Sequence, residues 1–250
     1  MRLGQNYQIL AFFLLVVVFV ILERVRPARE VDRWKDLKID VLSFTVAVGI
    51  NQACKLILGA MFVQSLPLWL SSSVAGLQSL PSWARICVAI LIVDFVIYWI
   101  HRAQHRSDVL WRTHAWHHSI EQLYWFSGFR TSFFHSFLYA IPATSISTLV
   151  FNLSPLEAGI GYSIGTLIQF WEHTNLQVNV GPLRHVIITP AYHRVHHSTR
   201  HNRSNYGTAF SVWDRMFGTY TNPDLVPLDE PLGLGEPVDE KRIPRMLIGV

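Results

Sequence analysis

The sequence predicts an all-α integral membrane protein, with about four to five transmembrane helices and a histidine-rich helical region on the cytoplasmic side. Hydrophobic residues make up 50% of the chain and charged residues 15%, and the mean hydropathy is +0.26. These values are typical of multi-pass membrane proteins and unusual for soluble domains. Nine of the twelve histidines lie in four short groups, which carry the functional prediction.

Five apolar runs are long enough, some with a few flanking residues, to cross a bilayer, which takes about 20 helical residues. They are Tyr7–Leu22, Val41–Val63, Trp83–Ile100, Phe133–Phe151 and Leu156–Trp171. Asn51, Gln52 and Lys55 interrupt the second run, and we expect them to face other helices. Residues 152–155 alone separate the last two runs, which therefore predict a tight helical hairpin, either spanning or re-entrant. Five such runs leave too little polar surface for a soluble bundle.

The first run is predicted to be a retained helix rather than a cleaved signal peptide. It lacks a small-x-small cleavage site, and the charged stretch Glu23–Arg26 follows it directly. The two cysteines, Cys54 and Cys87, lie within apolar runs, so we expect neither a disulfide framework nor a cysteine zinc site.

The distribution of basic residues predicts the orientation. Glu23–Lys38 holds six basic residues and Met61–Ala84 holds no charge, which places the first segment in the cytoplasm and the second outside. The third run then returns to the cytoplasmic side, and a hairpin preserves that side for the chain from His173 onward. We expect a multi-pass protein of a bacterial inner membrane. The net charge of +4 comes from these flanks, and no clustered basic surface suggests nucleic acid.

The four histidine groups predict a site for two metal ions. They read HRAQH, HAWHH, WEHTN and HRVHH. Imidazole is the commonest protein ligand for iron, zinc and copper, and nine imidazoles exceed what one ion uses. Residues three or four apart lie on one face of a helix, so we expect HxxxH and HxxHH each to aim two or three nitrogens at a common point.

Asp94 and Tyr98 extend the polar stripe of the first histidine group along an apolar helix. An aspartate inside a membrane segment costs free energy and is usually functional. Metal-bound imidazoles usually donate their second N–H to a carboxylate or carbonyl, so Asp94 or Tyr98 is a candidate acceptor, for instance for His101. The alternative for Asp94 is a structural ion pair with Lys55 or Arg85.

These motifs resemble the fatty acid hydroxylase superfamily of integral-membrane di-iron enzymes, which includes sterol desaturases, C4-methyl sterol oxidases and alkylglycerol monooxygenase. The resemblance runs from Asp94 to about Tyr220 through DxxxYWxHRxxH, HxxHH, FWEHTN, TPAYHRVHHS, NYG and WDRMFGTY. It implies a stem of transmembrane helices (residues 1–93 and a hairpin at 133–171), a catalytic region at 94–220 with a cytosolic cap, and a tail at 221–250. The implied metal ligands are His101, His105, His114, His117, His118, His173, His193, His196 and His197.

The resemblance also implies the chemistry. An alkyl C–H bond is inert to acid–base and nucleophilic catalysis, so its oxidation needs O2 activated by a redox metal. We expect two non-haem iron ions, with zinc as a substitute on purification, and hydroxylation or desaturation of a lipid drawn from the bilayer. The chain carries no haem or flavin motif, so we expect an external electron donor of the ferredoxin or cytochrome b5 type.

Three residues near the predicted substrate path depart from the family pattern. Tyr124 stands where many members have asparagine, and Arg130 is followed by a stretch ending at His135 where many have R-x-H-P-x-E. We predict that these three residues contact substrate. Asn175, just after His173, is a further candidate to support a ligand. Two more histidines, at 185 and 201, match no ligand position and are expected to be ordinary polar residues.

Two other functions use clustered histidines in membrane proteins. A di-haem electron-transfer protein normally pairs its histidines within the spans, and a metal transporter places polar ligands along them. Here most histidines follow the ends of the runs. A non-catalytic protein with a dead site is disfavoured by the full set of nine. The sequence does not distinguish a sterol, sphingolipid, ether lipid or carotenoid substrate.

Overall fold

The computed structural model describes residues 2–62 and 74–250 of the chain. The α-helices are α1 (Arg2–Val25), α2 (Leu37–Phe62), α3 (Ser82–Arg106), α4 (Asp108–His118), α5 (Phe133–Ser145), α6 (Pro155–His173), α7 (Pro190–His196), α8 (Val212–Met216) and α9 (Ile243–Ile248). Short 3-10 turns lie at Ser127–Phe129, Gly181–His185, Pro223–Leu225 and Glu240–Arg242. Within the described ranges the backbone forms only isolated β-bridges, so the all-α prediction is confirmed there.

Two helices in the described part of the chain are long and apolar enough to cross a membrane. They are α3 and the stretch Phe133–Val150, in which a π-helical turn continues α5. Few of their residues are buried inside the protein, and apolar side chains such as Leu91 and Phe137 are exposed. Exposed apolar surfaces of this kind are typical of membrane or protein contacts. The other predicted runs coincide with α1, α2 and α6, whose membrane crossing stays a prediction.

The connection between α5 and α6 is as short as the sequence predicts. Asn152 adopts a positive φ of 46°, and Ser154 starts α6 with a capping box that includes Glu157. Arg85 of α3 donates to the Phe151 and Asn152 carbonyls, both at 2.9 Å, and pairs with Glu157 at 2.6 Å. The turn is therefore fastened to α3. Because these contacts engage Arg85, the alternative that it pairs with Asp94 is wrong.

A single residue between α3 and α4 brings the first two histidine groups together. Ser107 ends α3 with extended backbone, and its hydroxyl accepts a hydrogen bond from the Leu110 N–H at the start of α4. The two helices pack side by side, while α6 packs against α1, α3 and α7. The C-terminal segment packs onto this assembly too, since α9 contacts α4. The predicted orientations of Asn51, Gln52 and Lys55 lie outside the described side chains.

Candidate metal centre

All nine histidines of the four motifs are buried and form two groups. The first group is His101, His105, His114, His118 and His196. The second group is His117, His173, His193 and His197. Within each group the candidate ligand nitrogens lie within 4.8 Å of one another. The helices α3, α4, α6 and α7 thus bring together residues up to 96 positions apart in the sequence.

Each HxxHH motif directs two histidines to one group and the third to the other. In α4, His114 and His118 join the first group and His117 joins the second. In the motif formed by α7 and its C-cap His197, the outer two histidines join the second group and His196 joins the first. Successive residues of a helix are rotated by about 100°, so residues four apart diverge by only about 40° while neighbours diverge by the full step. The expectation that each motif aims at least two nitrogens at a common point is therefore confirmed for HxxxH and for both HxxHH motifs. The third histidine of each HxxHH motif belongs to the other group.

Backbone carbonyls define which ring nitrogen of several histidines carries the proton. The Nδ1 atoms of His101, His117, His173 and His196 lie 2.8, 3.2, 2.8 and 2.7 Å from the carbonyls of Tyr206, Arg130, Gln169 and Ser204. A carbonyl only accepts hydrogen bonds, so each Nδ1 is the donor and each Nε2 keeps its lone pair. This is the tautomer that metal-ligating histidines usually adopt.

In the second group, two Nε2 atoms that carry no proton lie close together. The Nε2 atoms of His117 and His173 are 3.3 Å apart, and both belong to rings whose proton is on Nδ1. Two buried lone pairs at this distance repel each other unless a cation lies between them. Two nitrogens bound to one ion at about 2.1 Å lie roughly 3.0–3.4 Å apart for inter-ligand angles of about 90–110°. The donor set therefore fits a metal ion.

Burial keeps these imidazoles neutral. Burial lowers the pKa of the histidines in the α4 and α7 motifs well below the ordinary value, and the repulsion that would arise between two protonated rings lowers it further. These residues are His114, His117, His118, His193, His196 and His197. The neutral ring is the form that binds a metal ion.

Glu172 is a buried carboxylate beside the second group that the sequence reasoning did not select. Its Oε2 lies 3.5 Å from Nδ1 of His193, and its Oε1 lies 3.6 Å from Nδ1 of His173. His193 Nδ1 has no hydrogen-bond partner in the described part of the chain. The signal was present in FWEHTN, because Glu172 is an acidic residue next to a candidate ligand at the end of an apolar run.

His135 supports a histidine of the first group. Its Nδ1 lies 3.0 Å from Nδ1 of His114 and 3.3 Å from Nε2 of Gln104. The Gln104 carbonyl oxygen accepts from Tyr139 at 3.2 Å, which fixes its amide. His135 therefore lies next to the site without belonging to either group, and its contact with substrate stays a prediction.

Tyr124 and Arg130 are buried in a polar network with α2. Arg130 pairs with Asp40 at 2.7 Å and with Asp36 at 2.9 Å, and the Tyr124 hydroxyl donates to Asp40 at 2.7 Å. The same Arg130 offers its carbonyl to His117. These contacts position the loop behind the second group. A role of Tyr124 and Arg130 in substrate binding is likewise still a prediction.

Asp94 supports the histidines indirectly, through the segment at residues 208–213. Its carboxylate accepts from the Thr208 hydroxyl at 2.6 Å, the Ala209 N–H at 2.8 Å and the Trp213 indole at 2.7 Å. These bonds hold the segment whose Tyr206 carbonyl accepts from His101. The expectation that Asp94 itself accepts from His101 is therefore wrong, because the backbone carbonyl occupies that position.

The other two support candidates also bond elsewhere. The Tyr98 hydroxyl bonds to Thr219 at 2.8 Å, and Asn175 holds the backbone of Arg29 through both ends of its amide, at 3.1 and 2.7 Å. His185 is exposed and, like His201, lies outside both groups.

A glycine allows the turn after α4 to approach the second group closely. A Cβ at Gly128 would lie 2.6 Å from the ring of His173, closer than any neighbour permits. The Gly128 carbonyl also accepts from Gln169, one turn before His173. The turn Ser127–Phe129 thus packs directly on a candidate ligand.

The sequence around both histidine groups matches a known protein family. A family model described as fatty acid hydroxylase matches residues 86–219, more than half of the chain. The chain belongs to the fatty acid hydroxylase family. The resemblance seen in the motifs is confirmed, and both histidine groups lie within the matched residues.

Several relatives in the fatty acid hydroxylase family have described activities. Alkylglycerol monooxygenase of Xenopus tropicalis is 35% identical over 58% of this chain and 33% of its own length. Ornithine lipid hydroxylase of Rhizobium tropici is 32% identical over 57% of this chain and 44% of its own. Sphinganine C4-monooxygenase 2 of Arabidopsis thaliana is 29% identical over 53% and 52%. The chain thus matches between a third and about half of each relative, and no solved structure matches it.

Proposed function

We propose that the protein is a membrane-bound di-iron oxygenase that hydroxylates a C–H bond of a lipid, using O2 and two electrons from an external donor. The observation that carries this proposal is the pair of buried histidine groups with convergent Nε2 lone pairs. Family membership and the names of the relatives support oxygen chemistry on lipids. They do not favour the haem or metal-transport alternative.

The nine histidines of the two groups would hold the metal ions, one ion in each group. When bound, a pair of iron ions supplies the electrons and redox chemistry that activate O2, which zinc does not. Imidazole sites bind zinc at least as well as ferrous iron, so we expect zinc in protein that is overproduced.

The chain's own residues would orient the ligands and exclude water. The carbonyls of Tyr206, Arg130 and Gln169 hold three rings in the binding tautomer. Burial of both groups keeps solvent from the reacting centre, which suppresses side reactions. The site thus contributes rigid, dry positioning around the C–H bond to be oxidised.

The substrate is proposed to be a lipid, and the reaction hydroxylation rather than desaturation. The three relatives described above are named for oxygen insertion into an alkylglycerol, an ornithine lipid and sphinganine. A rice relative, 28% identical over 56% of the chain, is named a very-long-chain aldehyde decarbonylase. The family thus shares lipid substrates more closely than it shares one reaction outcome. A ferredoxin or cytochrome b5 type of donor is proposed to supply the electrons.

We also propose that the protein is a multi-pass protein of a bacterial inner membrane, with both histidine groups on the cytoplasmic side. The apolar helices α3 and α5 and the six basic residues of Glu23–Lys38 support this. Reporter fusions after Lys38 and after Val250 should report cytoplasm, and a fusion at residues 71–73 should report the opposite side. A C-terminus found outside would refute the shared sidedness.

Lipid analysis with matched histidine variants tests the proposed reaction. Cells that produce the protein under air should contain a lipid heavier by one oxygen atom, and purified protein should contain two iron ions. His117→Ala should abolish the product while the protein still inserts, because the apolar helices that drive insertion are untouched. His185→Ala is the control, since His185 is exposed and outside both groups. A haem spectrum, metal-free protein, or equal loss in both variants would refute the proposal.

A further inference from the structure

Arg194 is a buried cation that has no acidic partner among the residues that the structure describes. Its side chain is only 7% exposed, although it lies next to the candidate ligand His193 on α7. It donates to the carbonyl of Leu176 at 3.4 Å, and no ion pair joins it to a carboxylate among the described residues. Buried charges in proteins are nearly always paired, because leaving water without a partner costs free energy.

A second guanidinium adds to this unpaired positive charge. Arg29 and Arg194 line the same cavity of about 100 Å³, and Arg29 donates to the carbonyl of Glu230 at 3.0 Å rather than to an acid. Burial and the charge of Arg29 lower the pKa of Arg194 to about 10. Arg194 therefore stays charged at neutral pH, beside another cation.

The acidic residues around the two cavities are engaged elsewhere or exposed. Asp224 pairs with Arg184 at 2.7 Å, and Glu121 pairs with Lys35 at 3.2 Å. Glu230 accepts from Ser198 at 3.2 Å and lies 3.6 Å from Arg200, while Glu30 is exposed. The positive charge at Arg194 is thus left for a ligand.

Arg194 also lines a larger cleft of about 490 Å³ on the outer side of α7. Ala191, Tyr192 and Val195 contribute the helix wall of the cleft, whereas the α7 histidines belong to the two groups on the other side. A helix with its side chains is about 10 Å thick, so a ligand in the cleft is separated from the histidines. The volume is typical of a small-molecule site.

The segments beside the cleft expose apolar side chains. Leu183 is 60% exposed and Leu225 is 81% exposed, and the Arg184–Asp224 ion pair joins their two segments. Ser211 N–H donates to the Val186 carbonyl at 2.8 Å, which connects them to the segment that Asp94 holds. Asp94 belongs to the candidate span α3, so these segments are attached to a helix that we propose to enter the membrane.

We propose that this cleft and the smaller cavity, which share Arg194, bind the anionic head group of a membrane phospholipid. Arg194, which lines both, and Arg29, which lines the smaller cavity, supply the charge for its phosphate, and Leu183, Val186 and Leu225 on the segments beside the cleft contact the acyl region. The bound lipid braces α7 from the side opposite to the histidines. The location of this binding site at the membrane rests on the proposed span α3, whereas binding of the head group itself depends only on the two cavities.

Binding of soluble short-chain lipids to delipidated protein in an uncharged detergent tests this proposal by native mass spectrometry. Dihexanoyl phosphatidylglycerol should bind about 10-fold or more tightly than dihexanoyl phosphatidylcholine, as expected for a charge-assisted contact. Arg194→Gln should remove this preference and Arg29→Gln should reduce it. Arg242→Gln is the control, because Arg242 is exposed and its weak pair with Glu236 lies outside the cleft.

Four results would overturn the proposal. These are equal binding of the two lipids, inorganic phosphate binding as tightly as phosphatidylglycerol, binding of polyglutamate in place of lipid, and an unchanged preference in Arg29→Gln. If Arg194→Gln does not fold, Arg194→Lys keeps the charge but loses the planar fork and should weaken binding only in part. Lipid binding is measured independently of iron content and lipid oxidation, so failure here and failure of the proposed function are separate outcomes.

Discussion

Replacing Glu172 should weaken metal binding in the second group and leave the first group loaded. Glu172 Oε2 lies 3.5 Å from Nδ1 of His193 without forming a hydrogen bond, whereas Nδ1 of His173 donates to the Gln169 carbonyl at 2.8 Å. Glu172→Ala removes the carboxyl group that lies beside the unpaired Nδ1 of His193, and so removes its electrostatic support of this candidate ligand. We therefore expect a loss of about 10–100-fold in affinity for one of the two ions, the usual range for such support. Glu172→Gln keeps an acceptor oxygen and should lose less.

The assay is metal content after dialysis against graded concentrations of a chelator. Wild-type protein should release its two ions at comparable chelator concentrations, and Glu172→Ala should release one of them at about 10–100-fold lower chelator. Glu121→Gln is the matched control, because Glu121 forms only an exposed pair with Lys35. If Glu172→Ala releases metal at the wild-type concentration, the carboxylate does not support His193, and the reasoning is refuted.

Three further predictions concern the two groups. His101→Ala and His173→Ala should each leave about one metal ion per chain, because each histidine belongs to a different group; loss of both ions from either variant would argue for one shared site. Asp94→Asn should lower the affinity of the first group by about 10-fold, because an amide accepts less well from the N–H groups of segment 208–213 and loosens the Tyr206 carbonyl; chelator titration measures this. In metal-free protein, the lowered pKa of the six histidines on α4 and α7 means that the unfolded chain binds more protons below about pH 6.5. The free energy of unfolding of the metal-free protein should therefore decrease as the pH falls below about 6.5. A Tm that is unchanged between pH 7.5 and 5.5 would contradict this prediction.

The sequence predicted the elements that follow from hydrophobicity and local spacing. The helix in Trp83–Ile100 and the short connection at residues 152–155 are where the apolar runs and Pro155 indicate. The clustering of nine distant histidines was also predictable, because a buried imidazole needs a partner and so many imidazoles in short motifs have few partners other than metal.

The contacts around the histidines were not predictable in the same way. The acceptor of His101 is the carbonyl of Tyr206, more than a hundred residues away, and every residue has a carbonyl. The sequence favoured Asp94 as the acceptor because it is an acidic residue on the same face of α3 as the histidines. In the structure its carboxylate accepts from the segment that begins at Thr208 instead. The sequence shows Glu172 as an acidic residue beside His173, but its position next to His193 depends on how α6 and α7 pack.

The way in which each HxxHH motif divides its histidines between the two groups explains why two of them are adjacent. One helix with HxxxH supplies two ligands to one ion, as α3 does with His101 and His105. Adding a histidine next to the last position gives a third ring rotated by about 100°, which no longer reaches that ion but reaches a second one alongside. The motif of α4 gives its pair to the first group and its single histidine to the second, and the motif of α7 does the reverse. The two short helices therefore cross-link both groups, so neither group is complete unless α4 and α7 are both in place.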